Sequence, residues 1–307
     1  MINFTLRQLR YFEALARIGH FGRAADDRSI SQPALSVQIR ELEESLGMTL
    51  FERNARQVRL TGFGEEFAVR VRDILRSVEE LGELARASQE RLVGRLRIGV
   101  IPTIAPYMLP QIIRDLSQSH GDLDLHVRET LTPNLLQELA EGRIDTAILA
   151  LPISDPAFAE VDLFSENFVL IRPGVDANKP VPDRDMLREM RLLLLEEGHC
   201  FRDQALTFCN IQSARPREWL DGSTLSTLVQ MVNAGIGVTL IPEMALQVET
   251  RSASVAVSRF PDPQPSRSIG MIWRKSSPLA SQLTQISDEI RQSALTMREA
   301  HATTLKG

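Results

Sequence analysis

Both cysteines of this 307-residue chain lie in one short stretch, residues 198–209, which reads Gly-His-Cys-Phe-Arg-Asp-Gln-Ala-Leu-Thr-Phe-Cys. Four leucines and a Glu-Glu-Gly turn come before Cys200, a pattern that predicts a buried strand at 192–195 and a helix beginning at Cys200. The free amide groups and the dipole at a helix N-terminus favour a thiolate, and we expect His199 and Arg202 to add positive charge. Cys200 is therefore a candidate nucleophile.

Cys209 lies at the opposite end of the same predicted helix. If the helix is regular, the nine-residue separation places Cys209 about 13 Å from Cys200 and on the opposite face. A disulfide needs Cα atoms within about 7 Å, so joining the two cysteines requires the helix to unwind, and oxidation would change the shape of the domain. The alternative is that both cysteines are inert core residues, as lone cysteines commonly are.

Composition indicates a soluble cytoplasmic protein. The length predicts two domains, and 43% hydrophobic with 24% charged residues is typical of globular proteins. The N-terminus lacks the pattern of a signal peptide and no apolar run approaches about 18 residues, so we expect no membrane segment. The sequence has no Cys-x-x-Cys pair and no histidine cluster with zinc spacing, so we expect neither a metal site nor a cofactor.

The first 60 residues have the pattern of a winged helix-turn-helix domain. Apolar spacing predicts helices at 6–18, 21–28 and 32–46, the third capped by Ser31. Residues 1–64 hold nine Arg against seven Asp or Glu, a net charge of +2 in a chain whose net charge is −5. The basic part of the chain is therefore the candidate for binding double-stranded DNA.

Two groups of residues in this domain are candidates for DNA contacts. Those for the major groove lie at the start and on the outer face of the third helix: Ser31, Gln32, Pro33, Ser36 and Arg40. Residues 50–60 predict a two-stranded wing, whose Arg53 and Arg56 reach phosphates or the minor groove.

A long linker helix is predicted for residues 61–92, with Thr61 as its N-terminal cap. Its apolar residues follow a heptad spacing, at Phe67, Val71, Ile74, Val78, Leu81, Ala85 and Leu92. A helix with one narrow apolar stripe favours pairing with a second helix, so we expect a homodimer whose recognition helices read two half-sites of a roughly palindromic site. The alternative is that the stripe packs on its own domain.

Residues 93–307 predict an α/β regulatory domain in which strands alternate with helices. A first parallel βαβαβ unit is expected at 96–151 and a second such unit at 168–260. Two crossings of the chain then divide the domain into two lobes, with lobe I at 93–165 and 268–307 and lobe II at 166–267.

Three polar residues of this domain follow predicted strands. Thr103 follows the first strand, Thr132 the second, and Cys200 the strand at 192–195. Ligands of such sheets bind beyond the carboxyl ends of the strands. We therefore expect these residues to converge on the cleft between the lobes.

The N-terminal motifs resemble those of LysR-type transcriptional regulators. They are Phe-Gly-Arg-Ala-Ala at 21–25, Ser-Gln-Pro-Ala-Leu-Ser at 31–36, Glu-Leu-Glu-Glu at 41–44 and Leu-Phe-Glu-Arg at 50–53. The resemblance implies a winged helix-turn-helix, paired linker helices and a regulatory domain like a periplasmic binding protein. It also implies a homotetramer, promoter DNA and RNA polymerase as partners.

Two further stretches, residues 98–110 and 197–205, resemble the hydrogen-peroxide-sensing branch of this family. The resemblance implies that Cys200 is the peroxidatic cysteine, oxidised to sulfenic acid, and that Cys209 resolves it to a disulfide. It assigns peroxide binding to Thr103, Thr132 and Gly198, and orientation of the site to His199, Arg202, Asp203 and Arg267. A thioredoxin- or glutaredoxin-type reductant would restore the thiols.

Two alternatives stay open at this stage. In the first, a small metabolite occupies the cleft and the cysteines are incidental. In the second, the protein is a thiol peroxidase that also binds DNA. Nothing in the chain suggests turnover machinery, so a regulator is the expected class. The sequence departs from the peroxide-sensing pattern at 210–219, where the loop is short.

Overall fold

The computed structural model describes residues 4–52, 58–87, 93–209 and 221–304. The chain divides into two units, residues 1–85 and 86–307, each with its own internal contacts. The finer boundaries predicted at residues 60, 92, 165 and 267 stay predictions.

The first unit contains the helices α1 (Leu6–Ile18), α2 (Phe21–Asp27), α3 (Gln32–Leu46) and α4 (Gly62–Ala87). Local sequence sets their ends. The Thr5 hydroxyl accepts a hydrogen bond from the Gln8 amide at the start of α1, and the Ser31 hydroxyl caps α3 through the amide of Ala34. Gly47 ends α3 with φ +65°, a left-handed conformation that glycine adopts without strain.

The core of this unit uses the apolar face predicted for the third helix. Leu35, Ile39 and Leu42 are buried and pack with α1, while Leu46 is half-buried. An isolated antiparallel bridge joins Phe51 to Leu60, where the wing was expected. Arg53 and Arg56, the two predicted wing contacts, lie outside the described residues.

The helix α4 begins at the predicted cap, since the Thr61 hydroxyl accepts from the amide of Gly64 at 2.9 Å. The predicted apolar stripe is divided in two. Phe67 and Val71 pack on the core of their own unit, whereas Ile74 and Leu81, farther along the helix, are exposed. The first part therefore follows the alternative that the stripe packs on its own domain. The described helix ends at Ala87, and its predicted end near Leu92 lies outside the described residues.

The second unit is built on a continuous sheet. Its described strands are β1 (Gly94–Val100), β2 (Leu123–Glu129), β3 (Thr146–Leu151), β4 (Phe158–Pro173), β5 (Leu192–Leu195), β6 (Asp221–Gly222), β7 (Val238–Pro242), β8 (Val255–Arg259) and β9 (Ser266–Arg274). They lie in the order β2-β1-β3-β9-β4-β7-β5-β6, with β8 paired to β4. The strands β1, β2 and β3 are parallel, which confirms the first predicted βαβαβ unit.

The second predicted unit is wrong in one strand direction. The strands β5, β6 and β7 are parallel, but β4 pairs antiparallel with β7, β8 and β9. The physical reason is that β4 is one 16-residue strand that first pairs with β9 and then continues into the other half of the sheet. Its direction is therefore fixed by the pairing with β9.

Seven helices of this unit are described: α5 (Ala105–Ser119), α6 (Thr132–Ala140), α7 (Arg184–Glu189), α8 (Cys200–Phe208), α9 (Leu225–Asn233), α10 (Leu246–Glu249) and α11 (Ala280–Thr304). The two lobes have separate hydrophobic cores. The core of lobe I lies around β1, β3, α5 and α11, and the core of lobe II lies around β5, β7, α8 and α9. Among the described residues, none of the helices is long and apolar enough to cross a membrane.

Candidate functional site

The turn before α8 brings the Cys200 end of that helix close to lobe I. Gly198 has φ +94°, and a Cβ there would lie 3.0 Å from Cδ1 of Leu131, the residue that precedes α6. Glycine is thus required by both the backbone conformation and the close approach of two loops. Cys200 itself is half-buried and packs against the core of lobe I, although it begins a helix of lobe II.

Thr103 and Arg267, two of the predicted site residues, are in direct contact. The Arg267 guanidinium donates from Nη1 to the Thr103 hydroxyl oxygen at 2.9 Å and from Nη2 to the Thr103 carbonyl at 3.1 Å. The Arg267 side chain is fully buried and forms an ion pair with Glu166 at 2.7 Å. Because the hydroxyl oxygen of Thr103 accepts from Arg267, this hydroxyl can still donate its own proton.

Arg267 also connects this network to α8. Its guanidinium carbon lies 5.2 Å from the ring centroid of Phe201, the residue after Cys200. Phe201 in turn packs edge-on against Phe168 of β4, with ring centroids 4.9 Å apart. Phe201, in the first turn of α8, thus packs against side chains from β4 and β9.

Two buried polar atoms near this end of α8 have no hydrogen-bond partner among the described residues. They are the hydroxyl of Thr132, at the first position of α6, and Oε1 of Gln204, one turn after Cys200. Thr132 was a predicted site residue, but Gln204 was not. Its position four residues after Cys200 on the same helix was the available signal. An unpaired buried polar atom costs free energy, so both atoms are suited to a polar ligand.

His199 does not have the charge that the sequence suggested. It is the buried N-cap residue of α8, and burial lowers the pKa of its imidazole, while Glu196 acts in the opposite direction with a smaller effect. A lowered pKa means that the imidazole is neutral at pH 7. Burial therefore opposes the positive charge that we expected His199 to add beside Cys200.

Arg202 binds groups other than Cys200, and Asp203 is exposed. Nη1 of Arg202 donates to the Leu195 carbonyl at 2.6 Å and to Asp221 at 2.8 Å, so the guanidinium bridges β5 and β6 and its charge is compensated. The Asp203 side chain is exposed and forms no ion pair with any described residue. The structure thus brings Thr103 and Arg267 together, places Arg267 beside Phe201 in the first turn of α8, and leaves Asp203 at the surface.

Cys209 is the C-cap residue of α8 and is fully buried in the core of lobe II. Burial raises the pKa of its thiol to about 11, with Arg184 acting weakly in the opposite direction. The adjacent Phe208 contacts Phe260, with ring centroids 5.0 Å apart, and lies beneath the Arg184 guanidinium. Both cysteines are free thiols.

A second contact between the lobes lies on α5. The Tyr107 hydroxyl donates to Glu249 of α10 at 2.6 Å, and Ser226 of α9 donates to the other carboxylate oxygen at 2.5 Å. Desolvation and the hydrogen bond to Glu249 raise the pKa of Tyr107, so its hydroxyl stays protonated and acts as a donor. This network links lobe I with the part of lobe II that follows the α8 region.

The predicted DNA-reading face of α3 is partly as expected. Gln32, Pro33 and Arg40 are exposed, Ser31 is the exposed cap, and Ser36 is half-buried. A further residue on this exposed face of α3 is Val37, an apolar residue that is 48% exposed. No group of three or more His, Cys, Asp or Glu suited to hold a metal occurs in the part of the chain that the structure describes.

Two family models match this architecture. A model of the bacterial regulatory helix-turn-helix protein, lysR family, matches residues 6–65, and a model of the LysR substrate binding domain matches residues 89–295. The chain belongs to the LysR family. As a LysR-type regulator, it combines a DNA-binding helix-turn-helix with the two-lobed α/β regulatory domain described above.

Individual LysR-family relatives extend this result. The "probable hydrogen peroxide-inducible genes activator" of Streptomyces viridosporus is 45% identical, with 94% of each chain covered. The "DNA-binding transcriptional dual regulator OxyR" of Escherichia coli K12 is 42% identical, covering 94% of this chain and 95% of that protein. A hydrogen-peroxide-bound cysteine-to-serine mutant of Corynebacterium glutamicum OxyR matches with 35% identity and a TM-score of 0.67, covering 98% of this chain and 95% of that one.

Proposed function

We propose that this LysR-type regulator senses hydrogen peroxide through oxidation of Cys200. Formation of a Cys200–Cys209 disulfide then changes its binding to promoter DNA. The observation that carries the proposal is the contrast between the two thiols. Cys200 is half-buried where the lobes meet and packs against the core of lobe I, whereas Cys209 is a fully buried thiol with a pKa raised to about 11. The likeness to OxyR proteins supports the same function.

In the first step, the Cys200 thiolate attacks one peroxide oxygen. The O–O bond breaks, Cys200 becomes a sulfenic acid, and the leaving hydroxide takes a proton to form water. Thr103 and Thr132 hold the peroxide through their hydroxyl groups, one able to donate a proton and the other unpaired among the described residues. The backbone at Gly198 closes the site against Leu131.

The remaining site residues are positioning groups in this proposal. Arg267 fixes the orientation of the Thr103 hydroxyl and supports Phe201. His199 occupies the buried N-cap position next to Cys200, and Arg202 holds the start of α8 at the end of β5. Asp203 has no described partner near the cysteine, and its assigned role is the weakest of the set.

In the second step, Cys209 attacks the sulfur of the Cys200 sulfenic acid. The S–O bond breaks, an S–S bond forms, and a second water leaves, so that two thiols and one peroxide give a disulfide and two waters. The helix α8 spans nine residues from Cys200 to Phe208, which keeps the cysteines about 13 Å apart. The second step therefore requires α8 to unwind, which converts oxidation into a conformational change.

The conformational change is proposed to reach DNA through the assembly. Exposed Ile74 and Leu81 on α4 fit a homodimer through the linker helices, and altered contacts between regulatory domains in a homotetramer would change the spacing of the DNA half-sites. Ser31, Gln32, Pro33, Ser36 and Arg40 would contact bases, and Arg53 and Arg56 the backbone. RNA polymerase and a thioredoxin- or glutaredoxin-type reductant complete the cytoplasmic partners.

The protein is proposed to be a sensor and not an enzyme, because it carries a DNA-binding helix-turn-helix and its OxyR-like relatives are transcription regulators. Multiple-turnover consumption of peroxide with a thiol reductant, at the rate of a dedicated peroxidase, would favour the peroxidase alternative. Peroxide-insensitive DNA binding would favour a regulator whose cleft takes a small metabolite.

The mass of the reduced protein after one equivalent of peroxide tests the proposal. We expect each chain to lose two hydrogen atoms and to gain no oxygen, with the loss mapped to the peptide pair that contains Cys200 and Cys209. An unchanged mass, or a mass increased by oxygen alone, would contradict the disulfide.

A further inference from the structure

Val37 is the residue in the first half of α3 that points most directly away from the core. Leu35, Ile39 and Leu42 define the buried side of the helix, and at about 100° per residue Val37 lies opposite to that side. The outer face predicted from the sequence consisted of Gln32, Ser36 and Arg40. In the structure Ser36 is half-buried, so Val37 is more outward-facing than this predicted member.

Val37 belongs to an exposed apolar surface. Pro33 and Ala34 lie four and three residues earlier on the helix, which places both beside Val37, and both are exposed. We refer to Pro33, Ala34 and Val37 as the Val37 patch. The solvent face of a helix ordinarily carries polar and charged residues, so an apolar patch there indicates a binding surface.

The partner of this surface follows from its position. The Val37 patch occupies the first two turns of the second helix of a helix-turn-helix, the part that contacts base edges in the major groove. Arg40, one turn farther along, is exposed and forms no ion pair with any described residue, so its charge is available to DNA. The apolar group that bases present in the major groove is the C5-methyl of thymine.

We propose that the Val37 patch reads thymine in the major groove by contact with its methyl group, and that Val37 is a residue that determines sequence specificity. This inference rests on the DNA-binding part of the proposed function and not on the peroxide chemistry. It would hold equally for a regulator that responds to another signal.

A double comparison of protein and DNA tests the contact. Duplexes selected from a random-sequence pool by the reduced full-length protein would be prepared with each thymine replaced in turn by deoxyuridine, which removes only the methyl group. We expect one thymine in each half-site at which this replacement weakens binding of the unmodified protein by about three- to tenfold. For Val37→Ala, the same replacement should have no effect.

Val69→Ala is the matched control, since Val69 is also an exposed valine, 51% accessible, in α4 of the same unit. This variant should keep the full dependence on the methyl group. The proposal is overturned if no single thymine shows the dependence, or if Val37→Ala retains it at the same position. If DNA binding depends on the thymine methyl as expected but does not respond to peroxide, the result contradicts the redox proposal and leaves the Val37 contact supported.

Discussion

The two ends of α8 place chemically identical thiols in opposite surroundings. At the N-terminal end, Cys200 is half-buried and packs against the core of lobe I, the lobe that also carries the hydroxyl groups of Thr103 and Thr132. At the C-terminal end, Cys209 is enclosed by apolar side chains of lobe II, and burial raises the pKa of its thiol to about 11. The difference lies in packing and not in residue type.

In the proposed mechanism, this contrast determines the order of events. A thiolate at an accessible position reacts with peroxide, whereas a protonated thiol in a core does not. Cys209 can become reactive only after the C-terminal turn of α8 leaves the core, which breaks the contact of Phe208 with Phe260. The buried cysteine thereby links the completion of the chemistry to a change of structure.

We expect the largest effects when each cysteine is replaced separately by serine. Cys200→Ser should abolish the reaction with peroxide while preserving the fold and basal DNA binding. Cys209→Ser should react once and stop at the sulfenic acid, because no second thiol is present to resolve it. A sulfenic-acid reagent followed by peptide mapping checks this. Labelling of Cys209 in the Cys200→Ser variant would reverse the assignment.

Arg267→Ala tests how strongly the Cys200 end depends on its buried ion pair. Removing Arg267 leaves Glu166 charged and unpaired in the interior, so we expect a loss of about 3–5 kcal/mol in the free energy of unfolding. Arg259→Ala, which breaks the exposed pair with Glu243, should cost less than about 1 kcal/mol. Urea unfolding measures both. Equal losses would show that the Arg267 pair has no special role.

Burial of the Cys209 thiol should make the free energy of unfolding depend on pH. Its folded pKa of about 11 lies above the 9.0 of an ordinary cysteine thiol, so the stabilisation is fully present below pH 9 and is lost as pH rises through 11. The loss should reach roughly 3 kcal/mol for this shift. Unfolding of the unmodified protein and of Cys209→Ala from pH 8 to 11 isolates the effect. Parallel pH profiles for the two proteins would refute it.

Thr132→Val is the smallest of these tests. Its hydroxyl has no partner among the described residues, so valine removes no hydrogen bond that they supply. We expect oxidation of Cys200 to slow by roughly two- to tenfold, the value of one hydrogen bond of about 0.5–1.5 kcal/mol, with an unchanged number of titratable thiols. Stopped-flow measurement of the oxidation rate checks this. An unchanged rate would remove Thr132 from the peroxide site.

Local sequence patterns predicted most of the elements that carry the site. The strand at Leu192–Leu195 and the start of α8 at Cys200 follow from four leucines and a glycine turn. The caps Ser31 and Thr61 were identified because a capping hydroxyl acts within three residues of its own position. Such signals are contained in a few neighbouring residues.

The partners within the site could not be predicted in this way. Arg267 pairs with Glu166, 101 residues away, and Arg202 with Asp221 on a strand that follows the α8 region. The neutral state of His199 results from burial, which only the packed lobes produce. The direction of β4 was missed because its pairing with β9 is a property of the whole sheet.

Hydrogen exchange of the α8 amides in reduced and oxidised protein tests the central claim most directly. In the reduced protein the described helix Cys200–Phe208 is hydrogen-bonded, and we expect its amides to exchange slowly. After one equivalent of peroxide, protection across α8 should be lost, while the β1 and β3 strands of lobe I keep theirs. An oxidised protein that contains the Cys200–Cys209 disulfide and still protects the α8 amides would contradict the claim that the disulfide requires the helix to unwind.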